Sequence, residues 1–202
     1  MMNRPLQHGF TLIEIVVTLA IIGVLAAILT PVVANYIDEA RVTRANDEAQ
    51  TIAKAILNFN KDTGKWPIFT SGANITVTSS TFQILTGVGT FPQCSVDCGT
   101  AAWGATTTKV SALSSALEFN TQSYTTVGKF AWRGPYLTNV GTDPWANAYL
   151  VNAGALAFGQ SKAAYVLSAG PNAKIETSFG QNIGSGGSAV VIGGDDIAGR
   201  IK

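Results

Sequence analysis

Histidine and cysteine are scarce in this 202-residue sequence, which has one histidine and two cysteines. A multi-histidine metal site or a histidine-based catalytic relay therefore has little material to form from. Charged residues make up only 12% of the chain, against roughly 25% in a typical soluble domain. Basic residues number 13 and acidic residues 12, so the basic surface that a nucleic-acid-binding protein needs is not expected.

The apolar residues are concentrated near the N-terminus. Residues 15–37 form a run of 23 positions without a charged side chain, and about 20 apolar helical residues suffice to span a bilayer. A buried core helix is the alternative, but this run is long for one. A cleavable signal peptide has a shorter apolar run of about 7–15 residues. We therefore predict a transmembrane helix, and Arg4 in the short front end predicts that this end stays cytoplasmic.

Glu14 is out of place at the start of this apolar block. A carboxylate near hydrocarbon costs a few kcal/mol and suggests a functional site. The alternative is that Glu14 only marks the membrane interface. A buried, positively charged partner for Glu14 would favour the functional interpretation.

Residues 9–14, with the sequence GFTLIE, resemble the cleavage and methylation site of type IV pilins and type II secretion pseudopilins. The resemblance extends to the short basic leader, the apolar helix and Pro31 within it. Together with the C-terminal segments described below, it is closest to the major pseudopilin of type II secretion systems.

The resemblance implies a role for each of these positions. A membrane prepilin peptidase would cut between Gly9 and Phe10 and methylate the new amine of Phe10. Glu14 would pair with the Phe10 ammonium of a neighbouring subunit, because two opposite charges neutralise each other where a lone carboxylate would be costly. Pro31 would mark a bend or a locally melted stretch; the alternative is a tolerated proline without a role.

Cleavage would also remove the single histidine, at position 8, from the mature chain. Neither a Ser-His-Asp nor a Cys-His arrangement could then form. We therefore expect no catalytic residues and no enzymatic activity; acid–base catalysis by paired carboxylates is the alternative, but nothing in the spacing of the carboxylates suggests it.

The helical pattern continues beyond the apolar run. Apolar residues recur at alternating steps of three and four, which is the spacing of one helix face; they are Val42, Ala45, Ala49, Ile52, Ile56 and Phe59. We predict that the first helix runs from about Thr11 to Lys61 and that Gly64 and Pro67 end it.

The fold that the resemblance implies is α+β and type IV pilin-like. A long N-terminal helix, half transmembrane and half amphipathic, would pack on a small C-terminal antiparallel sheet. We divide the chain into a cleaved cytoplasmic leader (1–9), a transmembrane and assembly helix (10–37), its amphipathic continuation (38–64), a variable connecting region (65–133) and a C-terminal sheet with a calcium-binding loop (134–202).

The connecting region contains both cysteines, Cys94 and Cys98. A local disulfide is favoured outside the cytoplasm; a metal-binding pair is the alternative, although two thiols supply only half of a tetrahedral zinc site. We also predict short extended pieces such as 75–78 and a short helix over 110–119.

The C-terminal part carries further family resemblance. Residues 134–137 (GPYL) and 143–149 (DPWANAY) are similar to the start of the sheet in major pseudopilins, although the family usually has glycine where Ala146 stands. We predict strands starting at Tyr149 and spanning 164–168.

A glycine- and serine-rich stretch at 180–187 precedes Asp195 and Asp196. In the pseudopilins a loop here binds calcium. The resemblance implies Ca²⁺ as the one cofactor, held by Asp195, Asp196, Asn172 and the carbonyls of Leu167 and Ser168, a ligand set of the oxygen type that Ca²⁺ takes. A solvated Asp-Asp turn is the alternative.

The resemblance thus predicts a filament subunit, in first place a pseudopilin of a type II secretion-like system. A type IV pilin of an adhesion or motility pilus is the alternative, and a membrane-anchored binding module that never polymerises is the second. The expected partners are the prepilin peptidase, other pilin-like subunits, an inner-membrane assembly platform and the membrane itself. The chain would sit in the bacterial inner membrane with its C-terminal domain periplasmic or extracellular, and enter a periplasmic or extracellular filament on assembly.

Overall fold

The computed structural model describes residues 9–70, 81–100, 102–105, 109–182 and 190–202. The leader residues 1–8 and the extended piece predicted at 75–78 lie outside the described residues. The chain forms two compact units, Met1–Arg41 and Val42–Lys202, and helix α1 (Leu12–Thr63) contributes to both. The division of the sequence into five segments stays a prediction.

The described part of the first unit is helical and apolar. Its side chains are exposed throughout, and α1 is the one helix among the described residues that is long and apolar enough to cross a membrane. Pro31 lies inside α1, and the helix is unbroken on both sides of it. The role of Pro31 as a bend or a locally melted stretch stays a prediction.

The C-terminal part of α1 packs its predicted stripe into the core of the second unit. Ala45, Ala49, Ile52, Ile56 and Phe59 are all buried, as the three-and-four spacing predicts, and Val42 at the start of the stripe is exposed. The helix ends within two residues of the predicted position.

Gly64 terminates the helix. It adopts a φ of 67°, a left-handed conformation that glycine enters without a steric penalty. Its N–H donates to the carbonyl of Asn60 at 2.8 Å, which satisfies one of the carbonyls left open at a helix end.

The remaining elements are β1 (Ile84–Thr86), β2 (Gln93–Cys94), β3 (Val110–Ala112), α2 (Leu113–Leu117), β4 (Leu150–Val151), β5 (Tyr165–Ser168), β6 (Lys174–Ile175) and β7 (Ile197–Arg200), with a 3₁₀ helix at Ala153–Leu156 after β4. The strands that we predicted at Tyr149 and 164–168 correspond to β4 and β5. The short helix predicted over 110–119 is half right, because β3 occupies its first residues and only α2 is helical.

The main sheet has five strands in the order β3-β1-β4-β5-β7. The pairs β1–β4, β4–β5 and β5–β7 are antiparallel, but β1 and β3 pair in parallel. The predicted antiparallel sheet is therefore mixed. Its parallel pair comes from the region that was expected only to connect helix and sheet, and the chain between β1 and β3 is long enough for the crossover that parallel strands require.

Side chains alternate across this sheet and build a core on each face. Leu85 and Val151 pack with Ile56 and Phe59 of α1 in one cluster. Ile84, Leu150, Tyr165 and Leu167 point to the other face, where they pack with Trp103, Ile175 and Phe179. The second core is thus closed by the connecting region and by the segment after β6.

Strand β7 crosses α1 at close range. A Cβ atom built on Gly199 would lie 2.6 Å from the backbone carbon and oxygen of Ala49. Only glycine leaves the room for this approach, so the pairing of Ala49 with Gly199 sets how closely the sheet lies on the helix.

Candidate assembly and cation-binding sites

The residues of the predicted processing site are exposed at the start of α1. Gly9 and Phe10 precede the helix, and Phe10 leaves 84% of its surface accessible. Apart from its chain neighbours, no described residue has a heavy atom within 4 Å of a Cβ built on Gly9. Gly9 and Phe10 therefore pack against no other described part of the chain.

Glu14 has a hydrogen-bonding partner in its own chain. Its Oε2 accepts from the backbone N–H and from the hydroxyl of Thr11, both at 2.8 Å, and its own N–H donates to Thr11 Oγ1 at 3.4 Å. This is a reciprocal capping box, which satisfies open donors at a helix N-terminus. It supplies the carboxylate with two donors before any neighbouring subunit is present.

Thr11 is a functional candidate that we missed in the sequence. The signal was available, because a Thr followed three residues later by Glu just before an apolar run is the capping-box pattern.

Cys94 and Cys98 form the disulfide that the sequence favoured, with a Cα–Cα distance of 5.6 Å. The metal-binding alternative for this pair is therefore wrong. The loop that the bridge closes follows β2, which pairs in parallel with β6, so the disulfide lies beside the segment that leads towards the C-terminal acidic residues.

Two of the predicted calcium ligands lie together. The backbone N–H of Asn172 donates to Asp195 Oδ2 at 3.1 Å, and its side-chain amide donates to Glu176 Oε2 at 3.0 Å. Glu176 was outside the predicted ligand set; it directly follows β6, whose first residue comes two positions after Asn172.

Asp196 is the buried member of this acidic loop. Its Oδ2 accepts the N–H groups of Glu176 at 2.9 Å and Thr177 at 2.7 Å. Burial raises the pKa of Asp196 above its usual range, while these hydrogen bonds act in the opposite direction. Burial has therefore removed the hydration of the ionised Asp196 carboxylate, and the hydrogen bonds that it accepts compensate for only part of that loss.

The two predicted backbone ligands, Leu167 and Ser168, lie at the end of β5. Ser168 is opposite Ile197 in the β5–β7 register, one residue from Asp196. The Ser168 hydroxyl is directed elsewhere, since it donates to Asp143 Oδ2 at 2.7 Å. Only its carbonyl therefore stays a candidate ligand.

The fit of a cation to this loop rests on two orphaned atoms. Asp195 Oδ1 and Asp196 Oδ1 are buried and have no hydrogen-bond partner among the described residues, and a water or an ion would satisfy such groups. Among the described residues, no group of three or more His, Cys, Asp or Glu side chains is placed to hold a metal ion. A cation here would therefore need Asn172 and backbone carbonyls besides the two aspartates.

Residues 143–149 form a tight turn before β4. Asp143 Oδ1 accepts the N–H groups of Trp145 at 3.0 Å and Asn147 at 2.7 Å. Ala146 between them has a φ of 68°, in the left-handed region that favours glycine. A glycine would adopt this conformation without the steric cost that Ala146 carries.

Comparison with known proteins agrees with the site at the N-terminus. Residues 4–30 match the family model described as the prokaryotic N-terminal methylation motif. The chain is 36% identical over 77 residues to the fimbrial protein EcpC of Eikenella corrodens, covering 38% of this chain and 50% of that protein. No solved structure matches the chain.

Two further relatives come from both branches of the resemblance. The type II secretion system core protein G of Pseudomonas aeruginosa is 39% identical over 80 residues, 40% of this chain and 56% of that protein. The type IV major fimbrial protein FimA of Dichelobacter nodosus is 40% identical over 75 residues, 36% of this chain and 48% of that protein. The chain spans about half the length of the curated relatives it matches, and the resemblance to type IV pilins and pseudopilins is confirmed without favouring one branch.

Proposed function

We propose that this chain is a structural subunit of a type IV pilus-like filament and not an enzyme. The observation that carries the proposal is the exposed apolar part of α1, headed by the Glu14–Thr11 capping box and matched by the N-terminal methylation motif. An apolar helix of this length needs lipid or other helices around it. The membrane supplies lipid before assembly, and the filament supplies other helices after it.

Processing would create a positively charged partner for Glu14 in a neighbouring subunit, in addition to the two donors that Thr11 supplies. Cleavage between Gly9 and Phe10 by a prepilin peptidase leaves Phe10 with a free ammonium, which is then methylated and keeps its charge. In a bundle of such helices the Phe10 ammonium of one subunit neutralises the Glu14 carboxylate of another. The low dielectric makes this pair strong and makes either charge costly alone, so the pair selects one register.

Within this class we favour a pseudopilin of a type II secretion-like system. Residues 134–137, residues 143–149 and the Asp195–Asp196 loop support this branch. A pilin of an adhesion or motility pilus is the alternative, supported by the length of the connecting region and by the fimbrial relatives. In either branch the chain would wait in the inner membrane with its second unit outside the cytoplasm, and an assembly platform would extract it.

Replacement of one carboxylate tests the filament proposal. Glu14→Ala should abolish sheared filaments and leave the membrane-bound, processed chain in place, whereas Glu39→Ala on the same helix should assemble normally. Mass spectrometry of the mature chain should find a methylated Phe10 at its N-terminus. Normal filaments from Glu14→Ala would contradict the assembly role, and a processed chain that never forms filaments would favour an anchored binding module.

We also propose that the acidic loop binds Ca²⁺. Asp195, Asp196, Asn172 and the carbonyls of Leu167 and Ser168 would hold the ion, which supplies positive charge to the two orphaned carboxylate oxygens. Their burial without a partner supports the site, as does the preference of Ca²⁺ for six to eight oxygen ligands.

Thermal unfolding of the full chain in detergent tests the calcium site. Ca²⁺ at about one hundred times its Kd should add about 2.7 kcal/mol of stability, and a chelator should remove it. Asp196→Asn should abolish the response, while Asp47→Asn, an exposed control on α1, should retain it. An identical Tm with Ca²⁺ and with chelator would contradict the site.

A further inference from the structure

Residues 173–179 form hydrogen bonds with two separate loops. The first is the disulfide loop. The N–H of Gln93 donates to the Ala173 carbonyl at 2.9 Å, and the N–H of Ser95 donates to the Ile175 carbonyl at 3.0 Å. Residues 93–95, at the start of the disulfide ring, are therefore fixed to residues 173–175 by a short parallel ladder.

Asp97, inside the five-residue ring closed by the disulfide, continues this attachment. Its Oδ2 accepts the N–H of Phe179 at 2.9 Å and a close hydrogen bond from the Ser178 hydroxyl. Its φ of 56° lies in the left-handed region, which a non-glycine residue holds only when its surroundings enforce it. Ring closure removes the extended alternatives of the loop and so favours this conformation.

Trp103 adds a third attachment just beyond the ring. Its backbone N–H donates to the Asp97 carbonyl at 3.1 Å, and its indole Nε1 donates to the carbonyl of Thr177 at 2.8 Å. The indole is buried against Phe179. The loop thus contacts residues 173–179 from end to end.

The acidic loop binds the same segment through Asp196. Asp196 receives the N–H groups of Glu176 and Thr177, two residues before the Phe179 N–H that Asp97 receives. Asp196 is 8% exposed, and within the described part of the chain its Oδ1 has no hydrogen-bond partner, which points to a ligand beyond the hydrogen bonds inside the cluster. Any displacement of residues 176–179 would therefore move the donors that aim this carboxylate.

We propose that the Cys94–Cys98 loop is a positioning element for the acidic loop, with Asp97 as the positioning residue that transmits its closure through residues 176–179. For its ligand the inference rests on the proposed calcium site; for its mechanism it rests only on the contacts above. Because coupling between two sites is reciprocal, a cation on the acidic loop would in turn favour the closed disulfide loop.

Amide exchange of the full chain in detergent micelles, read residue by residue by NMR, tests the coupling without any cation. Asp97→Asn and the pair Cys94→Ser/Cys98→Ser should each speed exchange of the Glu176 and Thr177 amides by at least about fivefold. These amides contact Asp196 and not Asp97. Asp47→Asn should leave them unchanged. Faster exchange confined to Phe179 would overturn the proposal, because Asp97 would then act only on its own partner.

Titration with CaCl₂ gives an independent second measure. Both variants should weaken Ca²⁺ binding by roughly five- to tenfold, and Asp97→Glu should recover part of the loss because it keeps the carboxylate. Equal affinity in all variants would overturn the coupling. If the unmodified chain binds no Ca²⁺, the calcium site is wrong, and the exchange of Glu176 and Thr177 still decides the positioning role.

Discussion

The hydroxyl of Tyr149 donates a hydrogen bond to Glu48 Oε2 at 2.7 Å, across 101 positions of sequence. The other carboxylate oxygen of Glu48 accepts from Arg44 Nε at 2.7 Å, one turn earlier on α1. Tyr149 is 1% exposed and stands at the entry to β4. Glu48 therefore uses both oxygens to fix the sheet against one turn of the helix.

Tyr149→Phe should lower the free energy of unfolding by about 1–2 kcal/mol. The ring keeps its packing, but Glu48 loses a buried donor. Urea unfolding of the full chain in detergent measures the change. Tyr36→Phe, at an exposed position of α1, is the control and should be neutral. Equal stability of the two variants would show that water replaces the hydroxyl without cost.

The second unit should lose stability in alkaline solution. Burial raises the pKa of Tyr124, Tyr149 and Tyr165 above their ordinary value, which is about 10. Below that pH both folded and unfolded chains keep these protons, so the stability is fully present. Above it the unfolded chain releases them and the folded chain does not, so the free energy of unfolding falls by up to about 1.4 kcal/mol per pH unit for each tyrosine.

Urea midpoints at about pH 8 and about pH 11, with tyrosinate absorbance recorded alongside, measure this loss. Tyr165→Phe should reduce the fall in the free energy of unfolding with pH by the contribution of one tyrosine. A midpoint that is the same at both pH values would contradict the prediction.

Gly199→Ala should destabilise the contact between β7 and α1. The new methyl group would lie 2.6 Å from the Ala49 backbone, and overpacking of this kind typically costs about 1–3 kcal/mol. Gly141→Ala is the matched control, because a Cβ there meets nothing within 4 Å. The prediction fails if chemical denaturation finds the two substitutions equally mild.

Ala146→Gly should stabilise the chain by up to about 1 kcal/mol. Alanine is held at a φ of 68°, and an L-residue in the left-handed region costs roughly 1–2 kcal/mol, of which glycine's greater freedom in the unfolded chain cancels a part. Ala157→Gly, at an ordinary φ of −59°, should destabilise instead. The Tm values of the two variants should therefore move in opposite directions.

Thr11→Ala should reduce filament yield, because Glu14 would lose its side-chain donor while the chain waits in the membrane. Thr11→Ser keeps the hydroxyl and should assemble normally. Removal of an N-terminal cap costs typically about 1 kcal/mol, so a partial defect is expected and not the complete loss expected of Glu14→Ala. Sheared-filament yield normalised to processed chain measures it, and wild-type yield from Thr11→Ala would contradict it.

The long helix was predictable because its signals are local and repeated. The uncharged run, the three-and-four spacing and Gly64 each act within a few residues, and the helix ends within two residues of the predicted position. The β4 and β5 strands were predictable for a similar reason, since β-branched and aromatic residues cluster there.

The parallel pair of β1 and β3 was not predictable from local pattern. Each strand has three residues, too few to display an alternation, and their pairing depends on a distant segment. The same holds for Trp103, whose burial depends on Thr177 and Phe179 at 74 positions or more along the chain.

The candidate sites also divide into those that a sequence pattern marks and those that depend on residues far away in the chain. Glu14 was recognisable as a charge in an apolar setting, and Asp195 and Asp196 by resemblance. Asp97 was not, because its partners Ser178 and Phe179 are more than 80 positions away and no local motif marks such a bond.

The two-sided sheet has a consequence for hybrid proteins. The described residues of 84–112 supply one edge of the sheet and cover its second face. They therefore belong to the framework of the fold as much as β4 and β5 do. A chimera that replaces this stretch with a shorter connection would leave Tyr165 and Leu167 without their cover. Recombination between such proteins should therefore succeed at junctions within α1 and fail at junctions between Gly64 and β4.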